Sequence, residues 1–323
     1  MGLFRKPAAS KKGLMLLAYG DSGVGKTTLA LSAPKVAAID SEKGMSWYEG
    51  RESGKNLVGV FNTQDFFKLE DAMNEVKEDH EDVESLVIDS ETKFKENIEE
   101  VYIEIEKKRA RKNHKDPDDA NISIRSWGQI GQVSNHLQNK KLDLASAGIN
   151  VISIAQQADI KDDKGKVLGH KPAMKKNADY DYDVVLYLFV KESEGKTKHF
   201  AKVMKDRTET FAIGQIVENP TFDMWQKVTD AVKDSKVIEH SFADDNAAAK
   251  DQYEEQTEEQ DIPVLERFTA FVEANPDKMV EVQAMISSVK LSKAGLTNPT
   301  ASDMKKLETI LAKYKTTQET TVA

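Results

Sequence analysis

Two hydrophobic rhythms alternate along the first two-thirds of the chain. Short β-rich runs fall at Leu14–Tyr19, Val36–Ile39, Leu57–Phe61, Ser85–Ile88, Asn150–Ile154 and Val184–Val190, each of strand rather than helix length. Between them, Phe66–Lys77, Thr92–Arg111 and Ser126–Leu144 carry apolar residues at helical spacing. That alternation predicts an α/β architecture, a mainly parallel sheet flanked by helices. His199–Met204 and Thr208–Ile213 flank Lys205–Arg207 too closely for a helical crossover, so the sheet is expected to end in antiparallel strands.

The pattern changes after His240. Asp244, Asp245, Asp251, Glu254, Glu255, Glu258, Glu259 and Asp261, mixed with Ala, Gln and Asn, read as an acidic, weakly structured linker over 241–262. Beyond it, Pro263–Ala274, Asp277–Val289 and Ser302–Tyr314 predict three short amphipathic helices, the last capped by Ser302. The expected organisation is an α/β domain over 1–240, the linker, a small C-terminal helical domain over 263–316 and a disordered tail over 317–323. No internal repeat is visible.

Composition narrows the class. The chain of 323 residues is 39% hydrophobic and 31% charged, ample for one large domain and an appendage. Zero cysteines exclude disulfides, thiolate zinc sites and thiol catalysis. No apolar run approaches the roughly 18 residues that span a bilayer, and Met1–Lys12 lacks the apolar segment of a secretory signal. A cytoplasmic protein with no membrane partner is expected. The net charge of −9 argues against a globally basic nucleic-acid coat, so local patches decide.

Chemistry enters at the end of the first run. Gly20, Asp21, Ser22, Gly23, Val24, Gly25, Lys26 and Thr27, followed by Thr28, fit G-x-x-x-x-G-K-[ST] between an apolar strand and an apolar helix start. The glycines let backbone N–H groups curl around an anion, and the new helix adds its positive dipole end. Lys26 is placed to reach the β/γ-phosphates and Thr27 to ligate Mg²⁺. No Asn-Lys-x-Asp guanine-reading motif is present, which favours ATP. Asp89, where Leu86-Val87-Ile88 stops, supplies the carboxylate that the metal needs.

Val36-Ala37-Ala38-Ile39-Asp40-Ser41-Glu42 resembles the RecA signature of strand, Asp, small residue, Glu. That resemblance implies that Glu42 polarises the attacking water while Asp40 shapes the turn. Ile154-Ala155-Gln156-Gln157 is similar to the RecA-like strand tip whose glutamine senses the γ-phosphate, with Gln156 the better match. Met204-Lys205-Asp206-Arg207 is similar to the Lys-x-Arg element of the RecA/DnaB/KaiC group, which implies that Lys205 and Arg207 approach the γ-phosphate of a neighbouring subunit. Ser126-Trp127-Gly128 and Asp181-Tyr182-Asp183-Val184-Val185 extend the likeness to phage-encoded RecA-like P-loop ATPases, the phage nucleotide-binding and single-strand-annealing recombinase proteins. It covers Gly13 to about Phe211.

Two basic segments stand where RecA-like recombinases carry mobile DNA loops. One holds Lys107, Lys108, Arg109, Arg111 and Lys112; the other, Ala158–Ala178, holds Lys161, Lys164, Lys166, Lys171, Lys175 and Lys176. Flexible lysines of this kind favour salt-dependent, sequence-blind phosphate contacts, but neither segment has an internal aromatic for base stacking. The resemblance implies an ATP- and Mg²⁺-dependent, DNA-stimulated ATPase for single-strand recombination or annealing, of phage or prophage origin, working in the host cytoplasm. It implies a homo-oligomer, ring or filament, that hydrolyses ATP at subunit interfaces. Two alternatives stay open. One is a replication ATPase or helicase loader whose helical domain docks on a phage or host protein; the other is a nucleotide-gated regulatory binding protein.

Overall fold

Met15–Gly20 (β1) is a six-residue strand buried along its whole length, as a central parallel strand must be. It leads through the glycine loop into Lys26–Leu31 (α1), and then come Val36–Asp40 (β2), Leu57–Asn62 (β3), Phe66–Glu78 (α2) and Ser85–Asp89 (β4). Glu91–Lys112 (α3), Ile124–Ser146 (α4), Asn150–Lys161 (β5), Val167–Pro172 (β6), Val184–Ser193 (β7), Lys196–Asp206 (β8), Ile216–Glu218 (β9) and Asp223–Asp230 (α5) complete the first unit. This computed structural model describes residues 6–78, 82–193, 195–237, 240–261, 263–297 and 299–319. The chain divides into units 1–243 and 244–323.

The nine strands form one sheet in the order β3-β2-β4-β5-β1-β7-β8-β9, with β6 paired to β5. The expected parallel core spans β3 to β7, and β6, β8 and β9 are antiparallel. Leu17, Ile39, Ile88 and Val151 face one core with Phe94, Ile130 and Leu137 from α3 and α4. On the other face, Leu16, Ala38, Ile152 and Leu186 pack with Leu29 of α1 and Trp225 of α5. Alternate strand residues thus fill two separate layers.

One polar cluster is enclosed by the first core. Lys141 of α4 is 3% exposed and Glu91 of α3 7% exposed, with Nζ 2.5 Å from Glu91 Oε1. Ser153 Oγ donates to the same oxygen at 2.6 Å, and the buried Tyr182 hydroxyl donates to Ser153 Oγ at 2.7 Å.

Several expectations are corrected. The acidic stretch is the helix Phe242–Asp261 (α6) rather than a weakly structured linker. Its Ala, Gln and Glu residues are good helix formers, and the Asp143 carboxylate caps its start by accepting from Phe242 N at 2.9 Å and Ser241 Oγ at 2.6 Å. Thr208–Ile213 is not a strand. Asp206 Oδ1 accepts from Thr208 N at 2.8 Å and Oδ2 from Phe211 N at 3.1 Å, curling the chain so that pairing resumes only at β9.

In the second unit, Val264–Ala274 (α7), Met279–Ser288 (α8), Lys293–Thr297 (α9) and Ala301–Glu319 (α10) enclose a small core of Val264, Phe268, Val282, Leu291, Leu307 and Ile310. The last helix is capped by Thr300, not Ser302: Thr300 Oγ1 accepts from Asp303 N at 3.3 Å and donates to Asp303 Oδ2 at 2.7 Å. The expected disordered tail is helical as far as Glu319, and 320–323 lie outside the described residues. No helix among the described residues is long and apolar enough to cross a membrane.

Candidate nucleotide site

The glycine loop is shaped by what surrounds it. A Cβ on Gly20 would stand 2.4 Å from the Leu188 carbonyl oxygen of β7. Gly25 has φ of +95°, and a Cβ there would meet the His199 ring at 3.1 Å. Neither position accepts a side chain without moving backbone or ring. The turn borders a cleft of about 400 Å³ lined by Ser22, Gly23, Gly25, Lys26, Thr27 and Thr28 on the loop side.

Three strands form the opposite wall. Because β5 separates β1 from β4, the ends of β2 and β4 stand beside the middle of β5, at Gln156, across from α1. Thr27 Oγ1 donates to Asp89 Oδ2 at 2.9 Å. Glu42 Oε1 accepts from Ser90 Oγ at 2.9 Å and from Gln156 Nε2 at 3.3 Å. Asp40 shapes the turn, its two oxygens accepting from Glu42 N at 2.9 Å and Met45 N at 2.8 Å. Ser41 Oγ, a 3.0 Å donor to the Asp89 carbonyl, accepts from Ser90 N at 2.8 Å and locks β2 to β4. Gln156 faces Glu42, whereas Gln157 Oε1 is buried with no hydrogen-bond partner among the described residues.

Charge is tuned by burial. Lys26 Nζ folds back onto the carbonyls of Gly20 at 3.1 Å and Asp21 at 2.6 Å, and burial lowers its pKa against the pull of Asp89, Glu42 and Asp21. Burial pushes the Asp89 carboxyl up to about 6, with Glu42 and Asp40 adding to the rise, while the Thr27 hydroxyl bond and Lys26 oppose it. A half-buried ammonium facing crowded carboxylates matches a site built for a polyanion with a divalent cation. Among the described residues no cluster of three acidic, His or Cys side chains could cage a metal by itself. Thr27 and Asp89 instead offer the few oxygen donors that suit Mg²⁺ sharing its shell with phosphates and water.

His199 was not legible as a site residue. Its Nδ1 donates to the Val24 carbonyl at 3.1 Å, so a β8 side chain braces the loop from behind. Tyr48 and Ser90 also line the cleft. Only strand register brings His199 there, since no local motif marks it.

Lys205 and Arg207 are not in this cleft. Leu16 pairs with Val184, and Val184 with Asp206, so they lie level with the start of β1 while Gly20 lies at its far end. There, Lys205 Nζ donates to the Tyr180 carbonyl at 2.6 Å and Arg207 to the same oxygen at 2.7 Å. Neither reaches the phosphate loop of its own chain.

The two basic segments differ. On α3, Lys107 pairs with Glu104 at 2.7 Å, and Arg109 pairs with Glu106 at 2.8 Å beside the capped start of α4. Lys108, Arg111 and Lys112 are exposed. The second segment is an ordered β-hairpin rather than a flexible loop, because β5 continues past Gln156 to Lys161 and β6 returns antiparallel. Asp162 Oδ1 closes the turn by accepting from Lys164 N and Lys166 N, each at 2.9 Å. Lys161, Lys164, Lys166, Lys171 and Lys176 are exposed, whereas Lys175 is bonded to Asn135 and its pKa is lowered by burial.

A family model described as an AAA domain matches residues 12–213. No curated protein matches the chain. Among solved structures, the chain is similar to a RadB recombinase at 19% identity, over 65% of this chain and 87% of that one, with a TM-score of 0.40. It is similar to a KaiC-like protein from the archaeon Pyrococcus horikoshii OT3 at 15% identity, covering 65% and 90%, with a TM-score of 0.40. The flagellar accessory protein FlaH from Methanocaldococcus jannaschii shares 11% identity, covering 65% and 85%, with a TM-score of 0.35.

Proposed function

From the premise that this chain belongs to the AAA domain family and has a mainly parallel, RecA-like P-loop fold, we propose that it is an ATPase that couples hydrolysis to binding of single-stranded DNA. The observation that carries the reading is the meeting of Glu42 and Gln156 at 3.3 Å beside the Thr27–Asp89 pair, with Gln156 on the strand that becomes the basic hairpin.

The loop amides and Lys26 bind the triphosphate, and Thr27 and Asp89 would hold Mg²⁺, which would supply positive charge to offset that on the phosphate oxygens. Glu42 accepts the proton of the attacking water, and Ser90 orients its carboxylate. Gln156, whose neutral amide can leave Glu42 for a phosphate oxygen, reports the nucleotide state to the hairpin. Exposed lysines there, with Lys108, Arg111 and Lys112 of α3, contact strand phosphates.

Lys205 and Arg207, distant from their own cleft, serve that of a neighbouring copy, which makes the working form a homo-oligomer. A recombination or annealing role in a phage-infected cytoplasm follows the sequence resemblance, and the C-terminal helical unit is the candidate contact for a replication or recombination partner. The test is ATPase rate and particle size with and without single-stranded DNA, for wild type and Lys26→Ala. DNA-stimulated turnover lost in the variant supports the reading. Turnover and oligomer size indifferent to DNA would replace it with a nucleotide-gated regulator.

A further inference from the structure

Beside the hairpin stands a row of rings that starts at Tyr187, packed against the first core, and runs out beyond both cores. Phe189 of β7 and Phe200 of β8 are direct cross-strand partners and belong to neither hydrophobic core of the first unit. Their planes lie 20° apart with centroids 5.6 Å apart. Tyr187 continues the row 5.9 Å from Phe189 at 24°, and His170 of β6 adds a fourth ring 5.4 Å from Tyr187 at 23°. The row thus joins the sheet end to the hairpin.

Directly opposed residues of an antiparallel pair share a face. Lys202 pairs with Tyr187 and Lys198 with Lys191, so three lysines flank the rings on one side of the sheet. The Lys191 ammonium lies 5.5 Å from the Phe189 centroid and 5.6 Å from that of Phe200, a cation–π contact with both. Lys202 is exposed, and Lys198 is held by Glu218 at 3.0 Å. His199 and Ala201 point to the opposite face, toward the phosphate loop, which leaves the ring face unoccupied by the nucleotide chemistry.

We propose that this face is the base-stacking wall of a single-stranded nucleic-acid site whose phosphate clamp is the hairpin. The inference rests on the DNA reading of the hairpin given above and supplies the aromatics that the hairpin lacks. Stacked rings with near-parallel planes accept further flat rings at little cost, and every base has such a face. On β8 the exposed Lys198 and Lys202 flank Phe200 at alternate positions, placed to meet phosphates while bases meet rings. A duplex hides its base faces, and an acidic peptide has none. Single strands satisfy both the rings and the cations.

The test is fluorescence anisotropy of full-length protein with labelled oligo-dT, an abasic oligomer of equal length and oligo-U, titrated with salt. Phe189→Ala/Phe200→Ala should weaken oligo-dT binding at least about tenfold, leave the salt slope unchanged and erase the preference for dT over the abasic strand. Lys198→Gln/Lys202→Gln should lower the salt slope by about 1.4. Basal ATPase checks folding. If the alanine pair loses it, Phe189→Leu/Phe200→Leu keeps apolar volume and repeats the comparison. Equal binding of dT and abasic strands by wild type, unchanged by loss of the rings, overturns stacking while leaving the hairpin clamp intact. Absence of any binding that responds to Lys164→Gln/Lys166→Gln/Lys171→Gln removes the underlying DNA reading instead. Oligo-U bound as tightly as oligo-dT extends the wall to RNA, and weaker binding restricts it to DNA; both keep the stacking role.

Discussion

Replacing Lys141 with methionine should be among the most damaging single changes outside the cleft, and replacing Glu91 at the same time should undo most of it. Lys141 Nζ sits 2.5 Å from Glu91 Oε1, and both side chains are less than a tenth exposed. Methionine fills the space of the lysine stem but leaves the Glu91 carboxylate with only the Ser153 hydroxyl as hydrogen-bond partner among the described residues. Breaking a buried pair in this way costs about 3–5 kcal/mol. In a unit of this size each kcal/mol moves the midpoint by about 2–4 °C, so a fall of about 6–20 °C is expected. Glu91→Gln removes the stranded charge and keeps an oxygen for Ser153, so the double variant should lose less than about 2 kcal/mol. The assay is denaturant unfolding followed by tryptophan fluorescence, because Trp225 is fully buried in the same unit. Additive single effects, within about 0.5 kcal/mol, would refute the pairing. Glu91 also follows Asp89 by two residues and Ser153 precedes Gln156 by three, so turnover should fall with stability in the Lys141→Met single variant and recover in the double.

Other outcomes follow from the cleft. Glu42→Gln should retain nucleotide affinity and lose about 10²–10⁴ in kcat, measured by single-turnover hydrolysis; ordinary turnover would place water activation elsewhere. Because the folded protein raises Asp89 from 3.8 to about 6, the nucleotide-free fold binds the proton more tightly than the unfolded chain. Its contribution to stability is therefore present at low pH and lost as pH rises from about 4 to about 6, by about 3 kcal/mol, and Asp89→Asn should lack that dependence in thermal unfolding without Mg²⁺. The same variant should lose its stabilisation by Mg²⁺ and ATP. Arg207→Ala should reduce the activity of mixed oligomers by more than its share of subunits, since Arg207 lies far from its own cleft; strictly proportional loss in mixing assays would contradict action on a neighbour.

The phosphate loop was readable because all its determinants are local: an apolar run, glycines at fixed offsets, then Lys26 and Thr27. Glu42, Asp89 and Gln156 could be named as following strands, although Gln156 lies within β5 and not at its end, and their convergence depends on β5 lying between β1 and β4, an ordering that no local pattern encodes. The helix at 242–261 was hidden by its acidity, because the carboxylate that caps it, Asp143, is about a hundred residues distant. The strand expected at 208–213 failed for a local reason: Asp206 binds the Thr208 and Phe211 amides, and the Trp225 indole donates to it at 3.1 Å. Phe189 and Phe200 read as ordinary alternating strand residues. Their place in a four-ring row appears only when the hairpin with His170 is set beside them.

β5 is one continuous strand, buried through Ala155, exposed at Gln156, half-buried at Gln157 and Ala158 and exposed from Asp159 onward. On the proposed reading, no joint separates the glutamine that would sense nucleotide from the hairpin that would hold a strand. Ala173 N donates to the Gln156 carbonyl at 2.8 Å, so the returning arm is anchored on the same residue whose amide holds Glu42. If a triphosphate turns that amide and the turn shifts the hairpin's affinity for a strand, then by thermodynamic reciprocity a strand on the hairpin shifts nucleotide affinity by an equal factor. Filling either site is then a way of reading the other.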